Sequence, residues 1–288
     1  MPYIICEKCS HYWEVEGEEE FWVFYMCDEC GSLLIYVESL AEYNRLTKKI
    51  PSALEKTHTG RMAEHYWGMW RAGKLISITG LLSIPLSLFL TLKGFTAAIA
   101  ILVLGIALIP VSFRFMSASE ERGMGWAKGY VGELVVINCL RRLPDDYVIF
   151  NDVHFPGSYG NIDHVVLGPT GLYVIETKYY NGNYIIKGDQ WFRYDLDMRE
   201  EKSPSAQAKR NAATLKEFLA SEDIHVSWVN AIVAFLNNSY RIIEEDEFCR
   251  VMKPCMIPRY IEHNRLMLGD IKIKRIREVL EDCSSEVW

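Results

Sequence analysis

Two long uncharged runs dominate the polarity pattern of the chain. Leu75 to Leu92 gives 18 residues without a charge, Lys93-Gly94 interrupts, and Phe95 to Phe113 gives 19 more. At a rise of about 1.5 Å per residue each run reaches roughly 27 Å as a helix, just enough for a hydrocarbon core of about 30 Å. Tyr66, Trp67 and Trp70 precede the first run and Phe115 follows the second, where an aromatic belt would sit. Pro85 and Pro110 interrupt the runs, which is tolerated in membrane helices. Arg71 and Lys74 flank one side and Arg114 and Arg122 the other. A two-span hairpin places all four on the cytoplasmic side by the positive-inside tendency, with Lys93 at the far interface. The competing readings are a re-entrant insertion and a buried helical hairpin of a soluble protein. Two consecutive uncharged runs of this length favour the spans.

Beyond the runs the period changes. Trp126, Tyr130, Ile137 and Leu140 fall at helical spacing, predicting a helix over residues 125–143. Glu133 lies on that apolar stripe, where a carboxylate is either paired or functional. Tyr147 to Val153 alternates as a strand. Val165 to Leu167 and Leu172 to Ile175 are short β-branched runs, and Gly168-Pro169-Thr170-Gly171 supplies the turn between them. A second hairpin, Tyr184 to Lys187 and Gln190 to Tyr194, turns at Gly188-Asp189; Asp195 to Glu201 reads as a charged loop. Ser203 caps a helix that Pro204 begins and Leu219 closes. Ser227 to Phe235 and Cys249 to Met252 are strands, and Leu268 to Glu281 is a terminal helix with a solvated basic face. Helices interleaved with strands predict an α/β domain.

The N-terminus has a different character. Cys6-Glu7-Lys8-Cys9 and Cys27-Asp28-Glu29-Cys30 bracket two aromatic-rich segments, His11 to Val15 and Phe21 to Tyr25, around a Glu-rich turn. Four thiolates in paired CxxC knuckles predict a tetrahedral Zn²⁺ site in a small ribbon that needs its metal to fold. The alternative is two redox or free-thiol pairs. An acidic turn repels a phosphate backbone, so the ribbon reads as a structural or protein-docking module. The chain opens on polar residues rather than a cleavable signal, and cysteines scattered outside the knuckles suit a reducing compartment. Half of the chain is apolar and the formal net charge is −7, so a polyanion would need a local basic groove.

The candidate chemistry lies on the central hairpin. Asp163, Glu176 and Lys178 sit at the ends of its apolar runs, and Glu176 and Lys178, two apart on a strand, share a face. Closing the hairpin at its turn brings Asp163 near Glu176. Two hard oxygen ligands can hold Mg²⁺ or Mn²⁺, and a lysine can orient water or offset phosphate charge. Taken singly, each charge reads as a strand-end ion pair on a solvated rim. His164 points away from Asp163 and reads as a structural hydrogen-bonding residue, and His65 and His154 as surface residues.

Residues from Gly125 to about Phe235 resemble the NERD, or nuclease-related, domain. The resemblance rests on Gly129-Tyr130-Val131-Gly132-Glu133, Asn161-Ile162-Asp163-His164 and Val174-Ile175-Glu176-Thr177-Lys178, with Gly182, Trp191 and Pro204-Ser205-Ala206-Gln207 following in order. It implies a restriction-endonuclease-like PD-(D/E)XK fold, a mixed sheet flanked by helices, and a metal-dependent phosphodiesterase. It further implies Asp163 and Glu176 as metal ligands, with the Thr177 carbonyl, Lys178 as the catalytic lysine, Glu133 as a helix-borne carboxylate near the metal, and Gln207 as a polar residue lining the site. Lys128, Arg141, Arg142, Lys209 and Arg210 are candidate phosphate contacts.

The expected organisation is therefore a zinc ribbon (1–36), a helical connector (37–74), a transmembrane hairpin (75–113) and a nuclease-like domain (121–288). The expected function is a membrane-anchored nuclease using Mg²⁺ or Mn²⁺, with structural Zn²⁺. It would act on nucleic acid, DNA ahead of RNA, with both termini in the cytoplasm and the ribbon open to a protein partner. The rival is a membrane-tethered adaptor that binds nucleic acid or protein through the same fold without cutting.

Overall fold

The computed structural model describes residues 3–6, 12–14, 34–37, 57–158, 160–195, 197–237, 239–264 and 267–287. Cys9, Cys27 and Cys30 and the connector up to residue 56 lie outside the described residues, and with them the predicted zinc site. Of the N-terminal region the structure gives β1 (Tyr3–Cys6), β2 (Tyr12–Glu14) and β3 (Leu34–Val37), an antiparallel sheet with β1 central. Two compact units divide the chain, Lys56–Tyr130 and the remainder.

The first unit is built on α1 (His58–Leu92) and α2 (Ala98–Leu140), each long and apolar enough to cross a membrane. Their contact is made by small residues at a seven-residue period. Gly73, Gly80 and Ser87 are buried along α1, and Ala98, Gly105, Ser112 and Ser119 along α2. A side chain on Gly105 would meet Ser83 Oγ at 2.2 Å and the Gly80 carbonyl oxygen at 3.1 Å, so glycine is what lets the backbones approach. Ser77 and Ser112 join across the seam, Oγ to Oγ, at 2.6 Å. The large apolar side chains point away from it: Leu75, Leu82, Leu92, Val111 and Phe113 are all exposed.

The helix predicted over 125–143 is instead the last part of α2, which runs on from the second apolar run without a break. Ser117 and Ser119, polar residues just beyond the second apolar run, do not interrupt the helix. Their hydroxyls donate to the carbonyls of Phe113 (3.1 Å) and Phe115 (2.8 Å), one turn back, and so stay inside the helix.

The second unit holds a mixed six-stranded sheet. Its strands are β4 (Val148–Val153), β5 (Ile162–Gly168), β6 (Gly171–Lys178), β10 (Asn230–Phe235), β12 (Cys249–Met252) and β13 (Glu286–Val287). The order is β12-β10-β6-β5-β4-β13. β6, β10 and β12 are parallel; β4, β5 and β6 form an antiparallel meander. Gly168 faces Gly171 across the predicted turn, and Gly171 has φ +135°, a conformation that favours glycine. A four-stranded sheet, ordered β11-β7-β8-β9, contains β7 (Tyr184–Lys187), β8 (Gln190–Tyr194), β9 (Met198–Glu201) and β11 (Tyr240–Glu244).

Helices cover both faces of the large sheet. α3 (Pro204–Ser221) lays Ala208, Ala212, Leu215 and Leu219 into a core with Val165, Val174 and Val233. The end of α2 lays Val135, Val136, Cys139 and Leu140 against Val166, Tyr173, Ile175 and Ile232. Ile4 and Cys6 of β1 are buried in that second core. Two short segments complete the unit, α4 (Ile257–Glu262) and α5 (Asp270–Glu281). The stretch expected as a charged loop contains β9, an edge strand exposed on both faces.

Candidate active site

Strand register builds the site. β5 and β6 pair antiparallel with His164 opposite Ile175, which brings the start of β5 to the end of β6. Asp163 and Glu176 are the next residues outward on their strands. Asp163 reaches across, and its Oδ2 accepts the Thr177 backbone N–H at 2.7 Å. That bond replaces a ladder partner and fixes the carboxylate. On the other side of β6, the parallel partner β10 places Val233 beside Glu176 and Phe235 beside Lys178, both fully buried, and so gives the site an apolar floor.

Glu176 is 1% exposed and both its oxygens are engaged. Lys178 Nζ donates to Oε1 in a close ion pair, and Asn211 Nδ2 of α3 donates to Oε2 at 3.3 Å. Burial pushes the Glu176 carboxyl up to about 8, and the neighbouring Asp163 charge pushes the same way, against Lys178 and Arg210. Burial also raises Asp163, opposed by the Lys178 charge and the Thr177 N–H, with Asp152 adding to the rise. For Lys178, burial acts to lower the pKa, yet the Glu176 and Asp163 carboxylates outweigh it and hold the ammonium above its ordinary range. The corner is thus short of positive charge: two carboxylates repel across a dry gap and one lysine answers both.

This donor set fits a divalent cation. Hard carboxylate oxygens that resist ionisation chiefly because they are buried are what a Mg²⁺ or Mn²⁺ ion would relieve. Among the described residues, however, no three Asp, Glu, His or Cys side chains gather closely enough to cage an ion. The structure brings together Asp163, Glu176 and Lys178. Glu133 is 6% exposed on α2. Its neighbour Gly132 packs so closely on the end of β6 that an added Cβ would lie 3.3 Å from Thr177 Cγ2 and 3.2 Å from Tyr179 Cβ.

Gln207 is half-buried one helical turn before Asn211 on α3, so both occupy the stripe facing β6. Asn211 had no signal in the sequence: a lone amide inside a helix looks like any surface position. Of the candidate phosphate contacts, Arg210 is exposed and close enough to act on Glu176. Lys209 is held between Asp189 and Asp246, at 2.7 Å from each, and Arg141 is buried with Nη1 on Asn138 Oδ1 at 2.9 Å. Neither of these presents a charge to an incoming phosphate. His164 is buried and pairs with Asn151, while His65 and His154 are exposed.

Comparison with known proteins points the same way. An uncharacterized protein of Bacillus anthracis is 35% identical over 107 residues, 36% of this chain and 50% of that protein. The chain therefore spans about half the length of the curated relative it matches. No solved structure matches it. Residues 128–236, the stretch that carries Glu133, Asp163, Glu176, Lys178, Gln207 and Asn211, match the NERD family, the nuclease-related domain.

Proposed function

We propose that the chain is a membrane-anchored nuclease that hydrolyses phosphodiester bonds of DNA or RNA with a divalent cation. The observation that carries this reading is the convergence of Asp163, Glu176 and Lys178 at one end of the β5–β6 hairpin, within a stretch matching a nuclease-related family. Asp163 and Glu176 would hold Mg²⁺ or Mn²⁺, with the Thr177 carbonyl a further ligand. Bound there, the cation would supply charge against the phosphate oxygens and acidity to a water. The protein's own groups do the rest. The Thr177 N–H keeps Asp163 aimed into the corner, and Asn211 holds one Glu176 oxygen. Lys178 carries a fixed positive charge where negative charge develops on the phosphate. Gln207 and Arg210 border the approach. Glu133 acts from the α2 side of β6.

Membrane anchoring draws its support from the inverted packing of α1 and α2. In a soluble helical hairpin the large apolar side chains face the partner helix; here glycines and serines do, and the leucines and phenylalanines face outward. Tyr66, Trp67 and Trp70 lie where α1 leaves its apolar run, with Lys74 over the Trp70 ring and Arg122 over the Tyr66 ring. Two spans keep both termini on one face, which positive flanking charge makes the cytoplasmic one. Cys6, Cys9, Cys27 and Cys30 would hold a structural Zn²⁺ and present the ribbon to a protein partner.

The test is cleavage of end-labelled single- and double-stranded DNA and RNA by the full chain in detergent or nanodiscs, with Mg²⁺ or Mn²⁺. Cutting that disappears in the Lys178→Ala variant supports the reading; equal background cutting by both proteins overturns it. One observation favours a non-catalytic adaptor. Lys178 closes onto Glu176, and no third acidic ligand joins the pair among the described residues. An adaptor would retain nucleic acid or a protein partner without turnover, and Lys178→Ala would leave that binding unchanged.

A further inference from the structure

On the face of the sheet that packs against α2, a group of polar atoms is buried with no protein partner among the described residues. Asn151 Nδ2, His164 Nε2 and Thr177 Oγ1 are each buried with no hydrogen-bond partner among the described residues. They are neighbours by register. Asn151 on β4 is paired with His164 on β5, His164 is opposite Ile175 on β6, and Thr177 is the next residue of β6 on that face. Gly132 of α2 closes over Thr177, so the helix roofs the group.

The donors and acceptors can be assigned. His164 Nδ1 meets Asn151 Oδ1 at 2.8 Å, so Nδ1 carries the proton. With that proton on Nδ1, Nε2 is the ring's lone-pair acceptor, the Asn151 amide has a donor to spare, and the Thr177 hydroxyl can donate or accept. A cation would meet the Asn151 N–H groups and an anion would meet the His164 lone pair. Water, donor and acceptor at once, satisfies all three.

We infer that Asn151, His164 and Thr177 form an internal hydration site beneath the central hairpin, holding ordered water against the back of the strand that carries Glu176 and Lys178. The inference rests on the fold alone and stands whether or not the chain cuts nucleic acid. It gives Thr177, which separates Glu176 from Lys178, a hydrogen-bonded anchor on the side away from α3. The Lys178–Glu176–Asn211 arrangement is then braced from both faces of the sheet.

Thermal unfolding of the full chain in detergent, followed by near-ultraviolet circular dichroism, tests this. Val is isosteric with Thr and favours strands, so in a dry pocket Thr177→Val removes an unsatisfied hydroxyl and leaves the midpoint unchanged or raises it. In a hydrated pocket the same variant breaks a bonded network, and the midpoint falls by about 3 °C or more. Thr177→Ser keeps the hydroxyl and should recover at least half of the loss. A neutral or stabilised Thr177→Val protein, or equal losses in the Val and Ser variants, overturns the inference. A crystal structure fine enough to place water should show density within hydrogen-bonding distance of His164 Nε2 and Thr177 Oγ1; an empty pocket there also overturns it.

Discussion

The α1–α2 pair and the mixed sheet solve packing in opposite ways. In the sheet, Phe150, Val165, Val174 and Phe235 are fully buried, and the buried charged residues are confined to Asp152 and the candidate site among the described residues. In the helix pair, Gly73, Gly80, Gly105 and Ser112 are inside and Leu82, Leu92 and Phe113 are outside. Water drives the first pattern by expelling apolar surface. The second instead makes close backbone approaches and hydroxyl contacts such as Ser77–Ser112. Side chains of one chemical class therefore take opposite positions in two parts of one chain, which is what two solvents, water and lipid, would require.

The contrast is open to attack by parallel substitutions. The largest expected effect is in the sheet: Phe235→Ala, beneath Lys178, should destabilise its unit by about 3–5 kcal/mol in chemical denaturation. The same type of truncation at Leu82 of α1 should cost well under about 1 kcal/mol in detergent, because that side chain is 65% exposed. Comparable losses at the two positions would erase the distinction. Gly105→Leu tests it from the other side. Overfilling the seam should cost about 1–3 kcal/mol, read as a lowered thermal midpoint of the helix pair.

The site adds a sharper contrast, since it places two carboxylates and a lysine together at the edge of an apolar core. Glu176 has a folded-state pKa raised to about 8 by burial and by Asp163. A carboxyl so raised favours the folded state at low pH, below its unfolded value. That contribution fades as pH rises through the folded value. Without divalent cations, the thermal midpoint should therefore fall between the ordinary carboxylate range and about pH 8, and Glu176→Gln should flatten the slope. A midpoint that rises over this window, or a slope unchanged in Glu176→Gln, contradicts the burial argument. The smallest effect at the site is expected at Asn211, where Ala removes one hydrogen bond to Glu176. It should cost about 1 kcal/mol of stability, and a cleavage rate lowered by roughly five- to tenfold would match that magnitude.

Much of this was legible from residue pattern. The β5–β6 hairpin announces itself by β-branched runs around a Gly-Pro-Thr-Gly turn, and its period places Glu176 and Lys178 together. Helix α3 is marked by Ser203 and Pro204, and Ser203 Oγ does cap it, accepting the Ala206 N–H at 3.1 Å. Strands β9 and β11 were not legible, because edge strands in a solvated sheet need no apolar alternation. The unbroken course of α2 was hidden by Ser117 and Ser119, which resemble a linker and behave as helix-internal residues. The seven-residue repeat of small residues was present in the letters, but large apolar side chains mask it in any hydropathy profile. Asn211 required tertiary placement.

Isothermal titration of the full chain with Mg²⁺ near neutral pH, in two buffers of different ionisation heat, tests the central claim most directly. If Asp163 and Glu176 form a cation site held partly protonated by its own burial, binding should release protons, and Asp163→Asn and Glu176→Gln should each abolish it. Mg²⁺ binding without proton release, or binding that survives both substitutions, would contradict the account.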